Sequence, residues 1–174
     1  MIRSIAVACL LASTPANSAF LFPCTPEDGR ETIERALEAV ERMTKPIEKV
    51  SPSDSEFYKT ETEAAFRDQN EARFNTLVAS PLYPAWQVWS ATAGVKVPLE
   101  AARDATVPAE RIIQLADALK GAIDLKDAMV AYRDHDARRP KPVVTEDRQL
   151  MFFDLAIIPS SAASAIQCTA AGLR

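Results

Sequence analysis

A single histidine, four glycines and three cysteines are spread over 174 residues, and each scarcity removes a class of chemistry. With only His135 available, a metal centre built on several imidazoles is excluded. A Ser-His-Asp triad would have one base to draw on, and no serine in a nucleophile elbow accompanies it. The few glycines form neither a P-loop nor a G-x-G-x-x-G turn, so no phosphate-cradling loop and no cofactor is implied. Basic residues are also short, 20 Lys and Arg against 24 Asp and Glu, for a formal net charge of −4. That balance disfavours non-specific binding to nucleic acid.

What is present begins with an export signature. Arg3 gives a positive start, Ile5 to Ala12 is apolar, and small residues follow, with Ala16-x-Ser18 or Asn17-x-Ala19 as the cleavage pattern. The apolar run is too short to span a bilayer. The expectation is a cleaved secretory signal over residues 1–19 and a single helical domain over 20–174, periplasmic or secreted, with no membrane span once the signal is gone. Pro23 stands before Cys24 where a lipidation site needs a small residue, which argues against a lipid anchor. Loss of the signal removes Cys9 and leaves Cys24 and Cys168. In an oxidising compartment these two can make one intramolecular bridge, joining the first ordered residues to the last helix. Free thiols or pairing between chains are the alternatives.

The stretch from Ala105 to Asp136 is the longest amphipathic pattern. Ile112, Leu115, Leu119, Ala122, Leu125, Met129 and Tyr132 recur at steps of three or four, one face of a helix. Ala116, Ile123 and Ala128 widen that face. Pro108 suits a first turn, and Arg138 and Arg139 suit the negative pole of the far end. About 30 helical residues span ~45 Å, longer than the roughly 40 Å diameter of a compact domain of this size. Either one continuous helix or two segments broken near Gly121, with Asp124 capping the second, fits; the unbroken phase of the stripe favours the continuous one.

Other helices are read from caps and stops. Thr25-Pro26-Glu27-Asp28 opens the first, striped by Ile33, Leu37, Val40, Met43 and Ile47 and kinked or ended at Pro46. A second should run from Ser53, boxed by Glu56, to Ser80 before Pro81. It is unusually polar, so its outer half is solvated or bridges to a partner. A short helix should run from Pro84 to a C-cap at Gly94, and another from Pro98 to Asp104. Thr145 is read as the cap of a buried helix over Leu150 to Ile158, stopped by Pro159. Ser160 or Ser161 then caps a last helix reaching Ala171. The expected fold is all-α: a small up-and-down-type bundle of four main helices plus one or two short ones, with one disulfide.

Candidate site residues are few. Tyr83, Trp86 and Trp89 fall three apart and share one helical face. Exposed, they would mark a binding surface; buried, they would anchor a short helix. Arg138, Arg139 and Lys141 form a basic cluster able to meet an anion or acidic partner, or merely to offset a helix dipole. Asp154 interrupts the most apolar run and is the one weak candidate for a catalytic acid. A rim position or a bridge to an arginine such as Arg111 would also account for it. Asp134-His135-Asp136 cannot converge on one ion, because neighbouring helical residues point about 100° apart, so no metal site is expected. Glu61, Glu63, Asp68 and Glu71 read as a solvated face.

These features point to an exported, non-enzymatic interaction protein that binds a protein or peptide, or forms part of an envelope or secretion assembly. A small-ligand carrier with a cavity between the helices is the alternative, and a carboxylate-dependent enzyme a further one. Oligomeric state is not written in the sequence.

Overall fold

Apolar residues at helical spacing bury against one another in the computed structural model, which describes residues 24–138 and 148–173, with backbone alone for Pro26 and 148–152. Among the described residues there are six α-helices and no strand. They are α1 (Pro26–Thr44), α2 (Pro52–Arg67), α3 (Glu71–Val78), α4 (Tyr83–Asp104), α5 (Pro108–Asp136) and α6 (Arg148–Ala171). Four of them, α1, α4, α5 and α6, pack in a ring in which α4 lies between α1 and α5, and α6 closes it. Ile33, Val88, Leu99, Leu115, Leu125, Met129 and Ile158 fill the shared interior. The fold is the expected all-α bundle, and the Cys24–Cys168 disulfide joins its two ends with Cα atoms 5.0 Å apart, inside the range that bridge geometry requires.

The first helix starts as its sequence dictates. Asp28 N–H donates to Thr25 Oγ1 at 3.2 Å, and Thr25 N–H donates to Asp28 Oδ2 at 2.7 Å. This reciprocal box satisfies backbone donors that the helix itself leaves open. The Thr25 backbone N–H first, and its hydroxyl second, which also donates to Asp28 Oδ2 at 2.8 Å, hold the Asp28 carboxyl below its ordinary range.

The central helix is continuous. Leu115, Ala122, Leu125, Met129 and Tyr132 are buried as the stripe requires, but Ala116 and Ile123 are not part of it, and Ile123 is 63 % exposed. Gly121 is a contact point rather than a break. A Cβ placed there would lie 2.7 Å from the Gly94 carbonyl carbon. Only glycine allows α4 and α5 to come this close.

Several helix boundaries differ from expectation. Gly94 does not end a helix and Pro98 does not begin one: α4 runs through both. Likewise Pro159 lies inside α6. An interior proline costs about 3 kcal/mol, but Val95, Leu99 and Ala102 around Pro98, and Ile158, Ala162 and Ala165 around Pro159, are fully buried. Burial of these side chains, about 1.5–3 kcal/mol for each large one, outweighs the local penalty. Pro98 has no N–H to give the Gly94 carbonyl, and that carbonyl is the one turned toward Gly121. The predicted second helix is instead two. It starts at Pro52, with Ser51 accepting from Asp54 N–H at 3.1 Å, and it breaks at Gln69, whose φ is 50°. Asn70 then caps α3 by accepting from Arg73 N–H at 3.0 Å. The expected cap Thr145 lies outside the described residues.

Candidate functional site

The hairpin of α2 and α3 stands beside the ring and leaves a groove against α4 and α5. Its two helices are tied by Arg73, which donates to both Glu61 oxygens at 2.8 and 2.7 Å, and by the Phe66–Phe74 ring pair at 5.1 Å. A second apolar cluster of Tyr58, Leu77, Tyr83 and Trp86 fixes the hairpin to α4. Tyr58 meets Tyr83 and Trp86 at 5.7 Å between ring centres, and its hydroxyl hydrogen-bonds Ser80 Oγ at 2.6 Å.

The groove has a volume of about 540 Å³ and is open to solvent. Phe66, Phe74, Tyr83 and Trp86 form its aromatic wall, and Phe66 is 67 % exposed. Its floor is the α4–α5 seam, where Ala91, Gly94, Gly121, Ala128 and Ala131 are all small. Among the described residues, Asp124 and Asp127 are the only charged side chains lining it. Neither has an ion-pair partner within 4.0 Å among the described residues. The groove thus combines an apolar aromatic wall, a seam rich in small residues and two carboxylates on one rim.

The three aromatics singled out by spacing do not make one exposed face. Tyr83 and Trp86 are 2 % and 8 % exposed; their rings are 5.2 Å apart, and they serve as the groove's inner wall. Trp89, a further turn on, points away from them. Its Nε1 donates to the Glu48 carbonyl at 2.9 Å, while Glu48 N–H donates to Tyr132 Oη at 3.5 Å. These bonds pin the connector between α1 and α2. Trp89 also edges a second recess of about 490 Å³ beside Arg42, Lys45 and Lys96. Arg42 and Lys96 there already face carboxylates, Arg42 at Asp154 and Glu38, Lys96 at Glu41 and Glu100, so the recess holds little uncompensated positive charge.

Asp154 is 6 % exposed and meets Arg42 Nη2 at 3.0 Å. The bridging arginine is therefore Arg42 and not Arg111. A buried carboxylate with a cation at hydrogen-bond distance is accounted for by packing α6 on α1. Arg111 is buried and donates to the carbonyls of Ala102 at 3.1 Å and Ala105 at 2.5 Å, closing the C-terminal end of α4. Arg138 is exposed just past α5, and Arg139 and Lys141 lie outside the described residues. Glu61 is engaged by Arg73 rather than solvated, and Asp68 faces Arg67 and Arg73. His135 lies in the last turn of α5. Among the described residues no group of three His, Cys, Asp or Glu side chains could hold a metal ion, and no helix is long and apolar enough to cross a membrane.

Sequence reasoning missed Phe74, Asp124 and Asp127 as site residues, and the floor glycines with them. Phe66 and Phe74 were visible as lone large apolar residues in a polar stretch. No protein-family model, curated protein or solved structure matches the chain.

Proposed function

We propose that this is an exported, non-enzymatic interaction protein that captures a protein or peptide segment in the groove between the α2–α3 hairpin and the α4–α5 seam. The observation that carries the reading is the groove itself: about 540 Å³, with an exposed phenylalanine on its wall and Ala91, Gly94, Gly121, Ala128 and Ala131 beside Gln87 and Ser90 along its α4–α5 side. Exposed aromatic surface beside a cleft is where binding energy concentrates. Export is supported by the Arg3 and Ile5 to Ala12 leader pattern and by a disulfide, a bond that persists in oxidising compartments such as the periplasm or the exterior. A carboxylate-dependent enzyme has less support, because Asp154 is held by Arg42.

Gly94→Leu tests the reading. Nothing lies within 4 Å of a Cβ at this position, so the new side chain enters the groove, and leucine is the better helix former. The variant should fold at least as stably as the parent. A partner captured from the envelope fraction by the parent and lost with Gly94→Leu supports the groove; one captured equally by both places binding elsewhere. A small-ligand carrier would use the same space, whose volume also lies in the range of small-molecule sites. A stoichiometric molecule released on denaturation and seen by mass spectrometry would move the reading to that alternative.

A further inference from the structure

We infer that the occupant of the groove is a basic, amphipathic peptide segment; this rests on the reading of the groove as a docking surface. Asp124 and Asp127 are three residues apart on α5, so they lie on one side of it, about 4.5 Å apart along the axis. Both are exposed, and among the described residues they are the only charged ones lining the groove. A partner with an acidic or neutral face would leave both carboxylates facing apolar surface and stripped of water. Lysine or arginine on one face of the partner would pair with them, and its apolar face would meet Phe66 and Phe74. The small floor residues let a helical or extended backbone settle between the wall and the acids. Ion pairs flanked by low-dielectric walls on this scale govern partner choice more than they add raw affinity.

The test is fluorescence anisotropy with the purified, oxidised protein and labelled synthetic peptides of about 15 residues. One carries Leu and Lys at helical spacing; its analogues replace Lys with Gln or Glu. The Lys peptide should bind about tenfold or more tighter than the Glu peptide. The double variant Asp124→Asn, Asp127→Asn should cost the Lys peptide about fivefold or more and flatten its salt dependence. Gly94→Leu should abolish its binding. Equal affinity for all three peptides, or indifference to the double variant, overturns the basic occupant while leaving the groove reading intact, provided Gly94→Leu still blocks. Binding that survives Gly94→Leu overturns both, since the peptide would then sit outside the groove.

Discussion

The four-helix ring and the α2–α3 hairpin are held by different forces. The ring buries Ile33, Leu99, Leu115, Leu125, Met129 and Ile158 almost completely, a contiguous apolar interior that is non-directional and shared among all four helices. The hairpin buries only Tyr58, Ala64, Ala65 and Leu77. Directional contacts do the rest: the Arg73–Glu61 pair, the Tyr58–Ser80 bond and a few aromatic edges. Regions with few buried apolar contacts open at lower free energy than the core around them. The groove therefore has one stiff side, the α4–α5 seam, and one compliant side, the hairpin. A cleft made this way can change its width without disturbing the fold.

The comparison breaks most visibly if the ring is not the dominant unit. Reducing Cys24–Cys168, or replacing both residues by serine, releases a closure across 144 positions, worth up to about 5 kcal/mol in the chain-entropy picture. The urea midpoint followed by far-UV circular dichroism should fall sharply on reduction. An unchanged midpoint would mean that the ring's ends are held without the bridge.

A smaller effect sharpens the boundary between the stiff side and the open space beside it. Gly121→Ala pushes a Cβ to 2.7 Å from the Gly94 carbonyl carbon and 3.2 Å from Val95 Cγ2. The obstacle is backbone, so α4 and α5 must part, at about 1–3 kcal/mol. Gly94→Ala meets nothing and should stabilise by about 0.5–1 kcal/mol through helix propensity. Opposite signs for the same change on facing helices, read from thermal or urea unfolding, would locate the seam. A neutral Gly121→Ala would contradict the close approach.

The ring was largely legible and the hairpin was not, and the reason is the range of the forces. The α1 and α5 stripes, the Thr25 cap and the pairing of the last two cysteines follow from local period, local capping and elimination. The stops assigned to Pro98 and Pro159 failed because burial of neighbours from other helices outweighs a local rule. The break at Gln69 carries neither glycine nor proline, so no turn signal announced it; Asn70 was the only hint. The site depends on pairs far apart in sequence, such as Tyr58 with Trp86 and Gly94 with Gly121, and periodicity says which face a residue takes but not which partner covers it.

The smallest effect is the sharpest test of the contrast. Tyr58→Phe keeps the ring that packs on Tyr83 and Trp86 and removes only the hydroxyl, 2.6 Å from Ser80 Oγ. Loss of one such bond costs about 1 kcal/mol, or about fivefold in an opening equilibrium. If the hairpin opens on its own, amide exchange should quicken by about that factor in α2 and α3 and stay unchanged in α1 and α6. The urea midpoint should not move, because the ring unfolds from a state in which the hairpin has already let go. Exchange that quickens equally in all six helices, with a matching fall in the midpoint, would mean that ring and hairpin unfold as one unit, and the compliant wall would be lost with the distinction between them.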